Sequence, residues 1–161
     1  MPTYKAPVND YRFLMHDVFD LQQFNNLDTF NEASPDLIDA ILEEAAKLTE
    51  NIFQPINQSG DKEGCVLENG IVRTPTGFKE AYDQFCEAGW HSIVGDTKYG
   101  GQGLPNVLGI AINEMMVSSN WGLAMYPGLT KGASETIHAW GTDEQKSIYL
   151  PKMISGEWSG T

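Results

Sequence analysis

The residues of this sequence that could support chemistry are three histidines, two cysteines, one carboxylate inside an apolar run and a glycine-rich loop. His16, His91 and His138 are scattered, and none has a second ligand at i+3 or i+4 of the kind zinc sites use, so no metal site is read. Cys65 and Cys86 are the only cysteines. They lack the CxxC spacing of metal or redox work, and two reduced thiols are expected, as in cytosolic proteins. Glu114 is the one ionisable residue of the run 104–117; if interior, it needs a partner or a raised pKa. A carboxylate so placed could be functional, or could be satisfied by backbone amides or an arginine and serve as structure. Gly100-Gly101-Gln102-Gly103 follows no clear strand and lacks the lysine and hydroxyl of a P-loop. A tight turn, beside a ligand or a neighbouring domain, is the expected use of its glycines.

A further stretch, Trp121-Gly122-Leu123-Ala124-Met125-Tyr126-Pro127-Gly128-Leu129-Thr130, is apolar yet interrupted by Gly122, Pro127 and Gly128. Small residues and a helix break beside large apolar ones can shape a groove. Core packing explains the same composition, and the residues alone favour it without excluding the groove.

The elements that must position these residues are mostly helices. Residues 7–21 place Asn9 or Asp10 at an N-cap and space Leu14, Val18 and Leu21 along one face. A loop rich in Asn and Asp follows at 25–31. Ser34-Pro35 starts a second helix, with Leu37, Ile38, Ile41, Leu42, Ala45, Leu48 and Ile52 on its apolar stripe. Its acids Asp36, Asp39, Glu43, Glu44 and Glu50 are read as a solvated face rather than a charged docking surface. Pro55 should end or kink it. Cys65 to Arg73 reads as a small hairpin around the type I′ pair Asn69-Gly70. A third helix carries Phe78, Tyr82 and Phe85 inward and stops at Gly89. Residues 90–103 form a structured loop. The fourth helix opens at Leu104-Pro105-Asn106 and reads as buried on most sides. A fifth runs through Ile137 to Trp140. A sixth begins with the capping box Thr142-Asp143-Glu144-Gln145, and Pro151 should kink or split it. Residues 157–161 look like the approach to a strand.

Length and charge narrow the class. The chain has 161 residues, 41% hydrophobic and 20% charged, which suits one folded domain rather than a disordered or fibrous chain. Ten basic against 22 acidic residues leave a net charge of -12, which repels nucleic acid and anionic membranes. No apolar run is long enough to span a bilayer, and Met1-Pro2-Thr3-Tyr4-Lys5 lacks the core of a signal peptide. The chain reads as cytoplasmic.

Three stretches together carry a family resemblance. They are Gly89-Trp90 leading to Tyr99-Gly100-Gly101-Gln102-Gly103, then Tyr126-Pro127-Gly128-Leu129-Thr130, then His138-Ala139-Trp140-Gly141-Thr142-Asp143-Glu144-Gln145-Lys146 through Tyr149-Leu150-Pro151 to Gly156-Glu157-Trp158-Ser159-Gly160-Thr161. They resemble the amino-terminal helical domain of acyl-CoA dehydrogenases. The opening Tyr4-Lys5-Ala6-Pro7 through Tyr11-Arg12-Phe13 resembles an extension of one long bacterial branch, often labelled 3-methylmercaptopropionyl-CoA dehydrogenase-like. No residue selects a sulfur-containing acyl chain over a plain one.

The resemblance implies an all-α domain, an orthogonal bundle of about six helices with one small β-hairpin. It divides the chain into an extension at 1–33, the helical domain at 34–156 and, at 157–161, the start of a middle β-domain. It further implies an FAD-dependent enzyme that dehydrogenates an acyl-CoA thioester between its α and β carbons. FAD and the catalytic glutamate are expected outside residues 1–161, so no catalytic or cofactor-binding residue and no bound FAD are expected here, and Glu114 is not expected to be the base. The implied partners are acyl-CoA and an electron-transfer flavoprotein, with a homo-oligomeric whole protein. What the family places here is one wall of the acyl-chain cavity, at Met125, Tyr126, Leu129 and Thr130, with Leu123 and Gly128 nearby. The competing readings are a free-standing helical interaction module and a flavin oxidase or monooxygenase on the same scaffold.

Overall fold

The computed structural model describes residues 3–160. Among them lie seven α-helical segments: α1 (Val8–Arg12), α2 (Pro35–Leu48), α3 (Asn57–Glu63), α4 (Phe78–Glu87), α5 (Asn106–Ser119), α6 (Trp121–Trp140) and α7 (Asp143–Ile154). The one sheet among them is the hairpin of β1 (Val66–Glu68) and β2 (Ile71–Arg73), with Leu67 opposite Val72. The all-helical expectation with a single hairpin holds.

Local chemistry accounts for most boundaries. Ser34 Oγ accepts from the Leu37 amide at 3.3 Å, and Pro35 occupies the first turn, where its missing N–H costs nothing. Thr142 and Gln145 form the reciprocal capping box, at 2.8 and 3.2 Å. Asn69 and Gly70 both take positive φ, as a type I′ turn demands. Gly89, at φ 79°, ends α4 with its amide on the Cys86 carbonyl. The core joins Ile38, Leu42 and Phe53 to Phe78 and Phe85, to Leu108 and Met115 of α5, and to Leu123 of α6.

Several expectations need correction. The first helix is capped at Pro7 with no side-chain cap, so neither Asn9 nor Asp10 serves. From Phe13 to Val18 it winds as a π-helix. The wider turn rotates its face: Tyr11 and Met15 are buried, and Leu14 and Val18 are exposed, whereas Leu21 is buried as expected but in a separate 3₁₀ turn beyond a left-handed Asp20. The acidic face of α2 is not simply solvated. Asp39 and Glu43 pair with Arg12, Asp39 also meets His16, and Glu50 holds Lys5 and the Ala6 amide, so this face docks the chain's own amino-terminal segment.

The α5 helix is not buried on most sides. Asn106, Ile110, Asn113, Glu114 and Ser118 recur at helical spacing and stand exposed. Glu114 is thus not an interior acid; it lies beside Tyr11, whose phenol is pushed up first by burial and then by this carboxylate. The break expected between 122 and 128 falls instead at Asn120, and α6 runs unbroken through Pro127. A proline there forfeits one i→i−4 bond, which a packed helix survives. Pro151 likewise sits inside an undivided α7.

After α7, residues 157–160 take no strand conformation, and the Gly160 amide donates to Thr130 Oγ1 at 3.2 Å. The part of the strand expectation that rests on Thr161, and the residues Met1 and Pro2, lie outside the described residues.

Candidate functional site

Continuity of α6 decides what the six candidate residues can do. At about 100° per residue, neighbours on an unbroken helix point to different sides. Leu123 and Thr130 are 1% and 0% exposed and belong to the interior. Met125 and Leu129, 42% and 53% exposed, stand outward together with Trp121. Tyr126 is half-buried, edge-on to Phe78 with ring centroids 6.1 Å apart. Its hydroxyl lies 3.7 Å from Cys65 Sγ, and burial, then the thiol, push its pKa up to about 12. Gly128 alone of the six lines the main cavity.

That cavity has a volume of about 630 Å³, within the range typical of small-molecule pockets. Most of its wall comes from three places: Gly109, Ile112, Asn113 and Met116 of α5; Pro127, Gly128, Lys131, Ser134, Glu135 and His138 of α6; and the loop from Trp90 to Thr97. Phe85, Leu150 and Ile154 complete the apolar part. A β-carbon built on Gly128 meets nothing within 4 Å, so the backbone there borders open space. The α6 contribution repeats at helical intervals from Pro127 to His138. These residues share one face only in a helix that continues through Pro127.

The rim is polar. His138 Nε2 and Asp96 Oδ2 are 2.8 Å apart, and the Lys98 amide donates to Asp96 Oδ1 at 2.8 Å. The imidazole first and the amide second hold the Asp96 carboxyl below the usual range. This pair ties the loop to α6 across the rim. Lys131 Nζ donates to Asn106 Oδ1 at 2.9 Å, tying α6 to the start of α5. His91 lines the cavity, and burial lowers its pKa against the pull of backbone carbonyls, so its imidazole is neutral near pH 7.

The glycine-rich loop does not fit a flavin pyrophosphate. The amides of Gly100, Gly101, Gln102, Gly103 and Leu104 donate to the carbonyls of Thr97, Asp96, Ser92, Gly95 and Ile93, in that order. A phosphate cradle needs such amides free. A β-carbon on Gly101 would overlap the Gly95 backbone, so the glycines serve a close self-approach of the chain. No three His, Cys, Asp or Glu side chains gather as a metal site among the described residues. No described helix is long and apolar enough to cross a membrane.

Comparison with known proteins agrees with this architecture. The family model for the acyl-CoA dehydrogenase N-terminal domain matches residues 39–157. The chain is 41% identical, over 99% of its length, to a 3-methylmercaptopropionyl-CoA dehydrogenase of Ruegeria pomeroyi, of which it spans 27%. It is 33% identical, over 98% of its length, to a butyryl-CoA dehydrogenase of Syntrophomonas wolfei, of which it spans 26%. The chain thus spans about a quarter of each relative's length. Among solved structures, butyryl-CoA dehydrogenase from Megasphaera elsdenii superimposes with a TM-score of 0.60 at 20% identity, covering 76% of this chain and 30% of that one.

Proposed function

Because the chain belongs to the acyl-CoA dehydrogenase family, as an N-terminal domain of it, we propose that its task is to supply one wall of the pocket that holds the acyl chain of a CoA thioester. The observation that carries this reading is the cavity of about 630 Å³ bounded by α5, α6 and the 90–103 loop, apolar along Ile93, Ile112, Met116 and Leu150 and open at Gly128. A hydrocarbon tail laid there leaves water for an apolar surface, which is the main source of affinity for such a ligand.

In the whole protein the reaction is dehydrogenation of the acyl-CoA between its α and β carbons, a step of fatty acid metabolism carried out in the cytoplasm. FAD would supply the hydride acceptor, and the glycine-rich loop, its amides already spent, would not cradle its pyrophosphate. An electron-transfer flavoprotein takes the electrons, and the whole protein is a homo-oligomer. None of the six candidate residues is placed to move a proton or hydride. Gly128 borders the tail directly. Met125 and Leu129, outward on α6 with Trp121, reach substrate only where another part of the protein closes over them. Tyr126, Leu123 and Thr130 hold α6 from behind. The test is turnover of a series of straight-chain acyl-CoA thioesters by the protein that carries this domain, with an artificial electron acceptor. Absence of turnover with every thioester sinks the reading.

A further inference from the structure

Two residues on the cavity wall come from outside the span that matches the family model. Asp28 and Thr29 line the cavity, yet they precede residue 39, where the match begins, and both are exposed. The turn that carries them is held at its base. The Leu27 amide donates to Phe24, the Phe30 amide donates to Leu27, and the rings of Phe24 and Phe30 pack with centroids 5.6 Å apart. Gln22 Nε2 donates to the Ala33 carbonyl at 2.8 Å and pinches its two ends together. The chain before the turn is latched onto α2 and the π-helical turn that continues it, Thr49–Phe53. Lys5 meets Glu50 at 2.6 Å, Arg12 meets Asp39 at 3.1 Å and Glu43 at 2.5 Å, and His16 meets Asp39 at 2.9 Å.

Resting on the acyl-pocket reading above, we propose that residues 3–33 are a specificity element of this site, in which Asp28 and Thr29 form a polar edge of the cavity and the latch on α2 sets where that edge stands. The floor of the cavity is apolar, through residues such as Phe85, Ile93, Ile112 and Met116, and Asp28 and Thr29 add to a rim that already carries Asp96, Lys131, Glu135 and His138. A saturated tail matches that floor until it reaches Asp28, where it strips water from a carboxylate and returns no hydrogen bond. A tail ending in a hydroxyl donates to the same carboxylate and keeps its solvation balanced. Asp28 therefore selects against long saturated tails and favours tails with a hydrogen-bond donor at that depth. Arg12, His16 and Asp39 are positioning residues: they touch no part of the cavity and act through the turn.

The experiment measures kcat/KM for straight-chain acyl-CoA thioesters of increasing length, and for one long thioester with a terminal hydroxyl, in the protein that carries this domain. Asp28→Leu should raise the long-to-short ratio about tenfold, the size of discrimination a small pocket change supplies, and remove the advantage of the hydroxylated tail. Arg12→Gln should move the same ratio from a distance, and Arg12→Lys, which keeps the charge, should bring it part of the way back. Length profiles parallel to wild type in both Asp28→Leu and Arg12→Gln overturn the proposal. A second readout needs no turnover. Trp90 lines the cavity, and in the 161-residue chain with the exposed Trp121, Trp140 and Trp158 replaced by Phe it is the one tryptophan left to report access. Acrylamide quenching of Trp90 should rise in Arg12→Gln and fall back in Arg12→Lys. Equal quenching in all three overturns the extension's role even where no acyl-CoA is oxidised, whereas absence of wild-type turnover with normal quenching changes refutes the pocket's substrate alone.

Discussion

Asn120 donates from Nδ2 to the Phe53 carbonyl at 3.0 Å, while its Oδ1 accepts from the Leu123 amide at 3.1 Å. The two bonds join α6 to the end of the long helical run that starts at Pro35. Phe53 precedes a 3₁₀ turn in which the Asn57 amide turns to Gln54, and Asn120 serves the Phe53 carbonyl from across the core. The same side chain caps α6, whose rotation sets which residues face the cavity.

Replacing Asn120 with Ala should therefore cost about 2–4 kcal/mol, combining a lost cap with an unpaired buried carbonyl. Asn120→Asp keeps the capping oxygen but loses the donor and buries a charge, so it should fare no better. Chemical denaturation of the three proteins checks this; an Asn120→Ala loss below about 0.5 kcal/mol contradicts the bridging role.

Gly101→Ala is expected to destabilise by about 1–3 kcal/mol, because its β-carbon would enter the Gly95 backbone and force apart a loop that closes one side of the cavity. Gly100→Ala in the same loop has open space but a φ of 90°, so its smaller cost comes from backbone strain alone. Equal stabilities of Gly101→Ala and wild type in urea would remove the close-approach argument.

The amino-terminal segment should loosen in acid. His16 first, with Arg12, holds the Asp39 carboxyl below its ordinary range, and Lys5 with the Ala6 amide does the same for Glu50. A carboxyl depressed in the folded state contributes stability above its unfolded pKa of about 4 and loses it as pH falls through the folded value. Protection of residues 3–33 against hydrogen exchange, relative to the intrinsic rate at each pH, should fall below about pH 4, ahead of α2 and α5, and added salt should weaken the attachment at neutral pH since these pairs are partly exposed. Protection that stays flat until the whole domain unfolds would contradict the latch.

What the sequence disclosed well was local hydrogen-bond chemistry. Ser34-Pro35, Asn69-Gly70, Gly89 and the Thr142–Gln145 box each act within a few residues, and each stands where its spacing places it. The errors share a different cause. The π winding at 13–18 turned Leu14 and Val18 outward, a change of pitch that apolar spacing at 3.6 residues per turn does not register. Pro127 does not break α6, because the helix is packed on α5 and α7. The solvated reading holds for Asp36 and Glu44 but not for Asp39, Glu43 and Glu50, whose partners, Lys5, Arg12 and His16, lie 23 to 45 residues away. The cavity was legible only as a tendency of residues 121–130 to shape a groove. Which side of the helix faces it depended on the rotation set at Asn120.

The most direct test of the acyl-wall reading compares Gly128→Leu with Leu129→Ala across the straight-chain acyl-CoA series, in the protein that carries this domain. Gly128 borders the cavity and has room for a side chain, whereas Leu129 stands outward. Filling the cavity at Gly128 should depress kcat/KM for long chains by about tenfold or more while sparing short ones, a difference of a few methylenes of pocket depth. Leu129→Ala should leave the length profile nearly unchanged. A Gly128→Leu profile that parallels wild type, or a length shift confined to Leu129→Ala, would contradict the assignment of this cavity to the acyl chain.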